Sequence, residues 1–258
     1  MKKIIAFVFA AIIACQSAYP QACAIIMNDN TPYTRQAWWS LGSNNAFNDD
    51  NICKYWKDDY YVTSAAYTYY GWFFVASLGT GWTDQGYRYS SDWPTDWLRE
   101  KWDNGYYITS MAASDTHYFL MASQGTDILS QKVCANPDWS VIRDFLHKWW
   151  NENYVVAGMC CKAGMWTFLM NYTGTYYQQS VFWGNTADEI ATKIKEKWDE
   201  DYLITAIEYG NGEFCCVMSK TPGSSGVGQS YFIRTDKKPN DHIKEKWDEN
   251  YEIVTIGG

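Results

Sequence analysis

Histidine is scarce in this 258-residue chain, with three copies, and no Cys-x-x-C spacing occurs. A zinc site built from such ligands has nothing to start from, and neither metal nor cofactor is expected. Cationic clusters are missing too: 21 basic residues stand against 29 acidic ones, and no Lys/Arg group is denser than Lys193-Ile194-Lys195-Glu196-Lys197. A nucleic acid, whose phosphates demand a concentrated positive face, is not an expected partner at a formal charge of -8. The apolar run Ile4 to Ala14 has 11 residues, too few to span a bilayer. Hydrophobic residues make up 47% and aromatics 18%, enough for a sizeable core and incompatible with a disordered chain.

Lys2 and Lys3 followed by the run Ile4 to Ala14 read as an export signal, residues 1–18. Ile12-Ile13-Ala14-Cys15 resembles a lipoprotein box, with Cys15 as the lipidation candidate, whereas Ala22-Cys23-Ala24 is an Ala-x-Ala site. Cleavage before Cys15 or near Ala18 is expected, because repeat alignment puts Cys23 and Ala24 inside a strand. The mature chain is then extracellular or on the cell surface, touching a membrane only through that anchor. Export permits disulfides. The seven cysteines after Cys15 read either as small buried hydrophobes or as one or two disulfides.

Tryptophan and tyrosine are abundant, at 15 and 21 copies, and internal repetition accounts for them. The pairs Trp56/Tyr60, Trp102/Tyr106, Trp150/Tyr154, Trp198/Tyr202 and Trp247/Tyr251 recur every 46 to 49 residues. Four residues before each Trp stands Ile52, Leu98, Leu146, Ile194 or Ile243, one face of a short helix that ends at an Asp/Asn/Gly cluster before the Tyr. A strand such as Tyr61–Ser64 follows, then a turn and a second apolar run such as Trp72–Ser77, the pattern of a β-hairpin. A loop, Gly-Thr in three copies, leads to Gln36, Gln85, Gln131, Gln179 or Gln229, each opening a third strand. The unit is strand, strand, strand, helix. The N-terminal segment Ala24–Asn28 aligns with Cys215–Ser219, and the C-terminal segment stops after a first strand, so each end lacks what the other has. The expected fold of residues 22–258 is mainly β with short helices. It is a five-bladed propeller-like ring of β-β-β-α repeats, closed by pairing of the N- and C-terminal strands. An open curved array is the rival.

Ile-Lys-Glu-Lys-Trp-Asp-Glu-x-Tyr-x-Ile-Thr, the strand ending Val-Met-Ser-Lys and the run Gly-Thr-Gly-Trp-Thr-Asp-Gln-Gly-Tyr together resemble a known repeat region. It is similar to the segment following the kinase domain in a plant casein-kinase-like family and to regions following bacterial caspase-like domains. The resemblance spans nearly all of residues 22–258 and implies an accessory recognition module. This chain carries an export signal and no kinase or peptidase domain, a departure that argues against intracellular signalling.

Catalysis on a repeated scaffold should show as an exception to the repeat. His117, His147 and His242 fall at unrelated positions, Cys161 and Cys215 lie in strands, and the carboxylates after each Trp repeat as helix-end residues. The Gly-rich segment 223–228 runs into a strand, whereas a phosphate cradle would run into a helix. Asn171-Tyr172-Thr173 is a glycosylation sequon in a eukaryotic host alone. Three residues before a loop Gln stand Tyr33, Trp82 and Tyr176, with Ile128 and Gly226 in the other units. On one face they would form stacking platforms for sugar or peptide, with the five Gln as polar contacts; the alternative is packing against the next blade. A non-enzymatic module binding a protein or glycan is expected. The alternatives are an extracellular polymer hydrolase using a carboxylate pair and a self-assembling surface protein.

Overall fold

Each helix is followed by a tight reversal that the sequence dictates residue by residue. The computed structural model describes residues 22–42, 47–175, 177–234 and 237–258. The export signal, with Cys15, and Tyr176 lie outside the described residues. In chain order the elements are β1 (Cys23–Asn28), β2 (Arg35–Leu41), α1 (Asp50–Trp56), β3 (Tyr61–Thr68), β4 (Gly71–Leu78), β5 (Asp84–Ser90) and α2 (Thr95–Asp103). They continue as β6 (Tyr107–Ala113), β7 (Tyr118–Gln124), β8 (Ser130–Asn136), α3 (Trp139–Trp150), β9 (Val155–Lys162), β10 (Met165–Tyr172) and β11 (Gln178–Gly184). The last are α4 (Ala187–Trp198), β12 (Leu203–Gly210), β13 (Glu213–Lys220), β14 (Gln229–Arg234), α5 (Asn240–Asp248) and β15 (Glu252–Gly257).

The aliphatic residue of each helix is buried: Ile52, Leu98, Leu146, Ile194 and Ile243. The helix Trp residues are half-buried. Asp59, Gly105, Asn153, Asp201 and Asn250 end the helices in the left-handed region, with φ from 61 to 76°. The following Tyr N–H then donates back to the carbonyl five residues earlier, as from Tyr60 to Tyr55 (3.1 Å) and from Tyr202 to Lys197 (3.0 Å). This Schellman closure turns the chain directly into the next strand.

The strands form five three-stranded antiparallel sheets, ordered β2-β4-β3, β5-β7-β6, β8-β10-β9, β11-β13-β12 and β14-β1-β15. The strand opened by each Gln therefore belongs to the sheet that follows it, across the helix, rather than to the hairpin that precedes it. It and the first strand of the next hairpin both run antiparallel to a shared middle strand. They are thus parallel to each other, which requires the crossover that the helix supplies. The middle strands β4, β7, β10 and β13 are almost wholly buried, as is β1.

In the fifth sheet the middle strand comes from the other end of the chain: β1 pairs with β14 on one side and β15 on the other. Sheets adjoin through their first strands, β3 with β6, β6 with β9, β9 with β12, β12 with β15, and β15 with β3. Each first strand carries a one-residue bulge, leaving Thr63, Thr109, Ala157, Thr205 and Val254 outside the ladder.

Candidate binding site

The five Gln residues hold neighbouring sheets together. Gln85, on β5, accepts from the Val62 N–H (2.8 Å) and the Trp56 indole N–H (3.0 Å) of the preceding sheet and its helix. Its amide nitrogen donates to the Val62 carbonyl (2.9 Å) and to Ser123 Oγ on its own middle strand (2.8 Å). Gln131 clamps Ile108 and Trp102, Gln179 clamps Val156 and Trp150, and Gln229 clamps Ile204 and Trp198 in the same way. Gln36 repeats the backbone clamp on Ile253, while the Trp247 indole is directed to the Glu252 carboxyl rather than to this Gln. These amides are saturated by the fold, which leaves little of them for a ligand.

Of the loop aromatic residues, Tyr33 and Trp82 are described, and both are half-buried. Trp82 packs at 6.5 Å on Tyr61 of the adjoining sheet, and burial pushes the Tyr33 phenol up. Near the same end of the strands, a cavity of ≈ 320 Å³ lies between the α4 terminus and the Gly-rich loop, lined by Trp198, Tyr202, Ser224, Gly226 and Gln229. Between the sheets, a narrower cavity of ≈ 80 Å³ is bordered by all five first strands, with Thr63, Thr109, Thr205 and Thr255 among its polar groups.

A larger cavity, ≈ 430 Å³, lies at the hairpin end of the first strands. Every sheet contributes to it: Tyr67, Ser114 and Asp115, Cys161, Tyr209 and Asn211, and Gly258. Asp115 is exposed on its hairpin turn and acts electrostatically on Tyr67, whose phenol is pushed up by burial first and by that carboxylate second. Gly257 lets the chain end enter this region, because a Cβ there would overlap the Ile207 carbonyl.

Beside this cavity lies a residue that the repeat reading passed over. Glu208 is 3% exposed, the one charged side chain among the buried groups of the described residues. Burial raises its pKa well above the carboxylate range, offset in part by a hydrogen bond from the Gly258 N–H. Its equivalents in the other first strands are Ala66, Ala112, Cys160 and Gly257. Across the ladder, Ala66 faces Phe73 and Ala112 faces Phe119, whereas Glu208 faces Cys215. A smaller partner makes room for the larger acid. The signal was in the sequence, as one acidic residue in a column of small ones.

The seven described cysteines are free thiols, five of them buried. Burial pushes Cys161 up to about 12 and also raises Cys160, Cys215 and Cys216, so they are packed thiols rather than nucleophilic thiolates. The histidines sit apart: His117 stacks on Tyr89, His147 lies against Trp150, and His242 against Phe232.

A family model described as "Domain of unknown function (DUF7477)" matches residues 8–164 and again 154–258, so two overlapping copies cover most of the chain. No curated protein matches it.

Proposed function

The chain belongs to the DUF7477 family, and on that premise we propose that it is a non-enzymatic recognition module built as a closed, five-bladed propeller-like ring. Five Gln clamps, one at each sheet junction, and the placement of β1 between β14 and β15 support ring closure. The reading of the chain as exported, secreted or lipid-anchored at Cys15, rests on Lys2, Lys3 and the apolar run Ile4 to Ala14; the place of the cut is constrained by β1. It begins at Cys23, so cutting after Ala24 would remove strand residues. The repeat's likeness to regions following kinase and caspase-like domains fits an accessory role.

The observation that carries recognition is the ≈ 430 Å³ cavity at which all five sheets meet, lined by two tyrosines and by Ser114, Asp115 and Asn211. Concave sites with a few converging polar groups and aromatic rings suit a protein side chain or a sugar. The partner is a protein or glycan, met at this face rather than at the Tyr33, Trp82 and Tyr176 loops. Array binding by the purified protein tests this, with Tyr67→Ala and Trp82→Ala in parallel. Loss in the first variant alone locates the partner at the cavity; loss in the second alone returns it to the loops.

Glu208 also favours a second reading, a polymer hydrolase with Glu208 as acid and Asp115 as its partner. The near-complete covering of Glu208 weighs against proton delivery to a glycosidic oxygen. Release of reducing ends from polysaccharides, abolished by Glu208→Gln, would establish it.

A further inference from the structure

Three residues before the clamping Gln the five units carry Tyr33, Trp82, Ile128, Tyr176 and Gly226. Where these side chains are described they cover the junction between sheets. Trp82 packs on Tyr61, the residue before the clamped Val62, Ile128 is 8% exposed, and Tyr33 is half-buried. Gly226 has no side chain to offer, and a Cβ built on it would meet nothing within 4 Å. The facing position is reduced as well: the Gln85 and Gln131 junctions have Tyr61 and Tyr107 there, and the Gln229 junction has Leu203. The loop itself stands back. Residues 221–228 number eight, against six in 79–84 and in 125–130. Ser224 closes this longer loop into a turn of its own, its hydroxyl donating to the Thr221 carbonyl (2.8 Å) and accepting from the Thr221 N–H (3.1 Å). What remains between loop and sheet is the ≈ 320 Å³ cavity beside Trp198.

Its walls decide what it can hold, because their polar groups are already committed. Gln229 accepts from the Trp198 indole and the Ile204 N–H and donates to Asn28 and to the Ile204 carbonyl. Ser224 is closed on Thr221, and Asp201 lies 3.6 Å from the Lys220 ammonium. A sugar, which needs several unused donors and acceptors, finds few here. The surfaces left over are the rings of Trp198 and Tyr202 and the aliphatic groups of Leu203 and Val227. A flat apolar ring that displaces water from such walls gains both burial and stacking. The size agrees: an apolar cavity of about 150 Å³ is enough for benzene, and ≈ 320 Å³ leaves room for the two rings of an indole. The other junctions show what the same place accepts, an indole from Trp82 and a phenol from Tyr33.

We infer that the cavity at the Gln229 junction binds a planar aromatic ring, an indole or a phenol, supplied from outside where Gly226 supplies none. The ring belongs to a Trp or Tyr side chain of a polypeptide or to a free aromatic compound. This site lies at the opposite end of the strands from the ≈ 430 Å³ cavity. It goes beyond the recognition reading and does not depend on it.

Nuclear magnetic resonance and isothermal titration of the intact protein test this with indole, p-cresol and N-acetyl-tryptophan amide, and with glucose as a control. The three ring compounds should bind at one per chain with a Kd of about 0.1–1 mM, the range open to so small a ligand, and glucose should not. The Trp198 indole N–H resonance should shift, while those of Trp56, Trp102 and Trp150, which make the same bond at other junctions, stay in place. Leu203→Trp, which fills the cavity from its wall, should weaken binding about 10-fold or more. Trp82→Gly, which opens the same place at the Gln85 junction, should raise the stoichiometry to two. Tighter binding of N-acetyl-tryptophan amide than of indole identifies a polypeptide source, and equal affinity a free aromatic. The inference is overturned by a wild type that binds no ring, by shifts at another clamp instead of at Trp198, by unchanged affinity in Leu203→Trp, or by a stoichiometry of one in Trp82→Gly. Tyr67→Ala should leave ring binding intact, so loss of an array partner in that variant bears on the recognition reading alone.

Discussion

At the scale of the residue, the Gln clamp illustrates how one side chain can join two sheets. Gln85→Ala would leave the Val62 N–H and carbonyl and the Trp56 indole without their partner in a mostly dry junction. Truncation should therefore cost about 2–4 kcal/mol in urea unfolding. The groups beneath the clamps vary in a correlated way. Where the middle strand offers Ser77, Ser123 or Ser219, the bulge residue is Thr63, Thr109 or Thr205, and the two hydroxyls bond at 2.7–2.8 Å. Where it offers Asn171 or Asn28, the bulge residue is Ala157 or Val254 and the Asn carbonyl alone meets the Gln amide. Thr63→Ala combined with Ser77→Asn should thus lie closer to wild type than Ser77→Asn alone, a non-additivity that a double-mutant cycle measures. Glu208 sets a pH dependence of definite sign. Its folded pKa lies above the unfolded one, so the native state holds the extra proton and stability falls as pH rises above 4.5 toward the raised value. Glu208→Gln should flatten that part of the stability profile and separate further from wild type as pH increases. A wild-type curve that rises or stays level across this window would show that Glu208 is not kept neutral.

At the scale of the element, helix, hairpin and Gln strand were all legible, because each rests on local chemistry: an i, i+4 apolar pair, a Gly-Asn-Gly turn and a recurrent polar residue. Partnership was not legible. β5 and β4 are adjacent in sequence, yet β5 pairs with β7, since strand pairing is settled by the helix crossover and by the burial of β7. The Gln residues were found from sequence but their bonds were not, because their partners Val62 and Trp56 lie 23 and 29 residues away. Glu208 escaped because a single acid inside an apolar strand reads as a solvent-facing residue until the strand is known to be covered on both faces. The helix endings carry their own prediction. Four of five use Asp or Asn at a left-handed position where the second unit has Gly105 (φ 76°). Gly105→Val should lower stability by about 1–2 kcal/mol, whereas Asp201→Gly should be neutral or slightly stabilising. Thermal unfolding of the two variants checks the contrast.

At the scale of the whole molecule, the consequential strand is β1. It carries Cys23, Ile25, Ile26 and Met27, all at most 1% exposed, into the middle of a sheet whose other two strands come from the far end of the chain. A closed ring and an open array differ in what that strand holds. In an array of stacked units the terminal sheets fray first, because each has one neighbour and stability is a sum of local terms. In a ring the β14-β1-β15 sheet has two neighbours like the rest, through β12 on one side and β3 on the other. Native-state hydrogen exchange distinguishes them: amides of β1 and of β7 should open with the same free energy, both by global unfolding. Markedly weaker protection in β1 would favour the open array. Removal of residues 1–28 perturbs the same sheet more severely. It would strip the shared partner from β14 and β15, uncover Ile233 and Ile256, and leave two unpaired edges facing each other across an empty middle position. Unpaired edges of that kind invite association between chains. The truncated chain should therefore aggregate or lose its single cooperative transition, and a peptide spanning residues 22–30, supplied in trans, should recover it in part by occupying the vacated place.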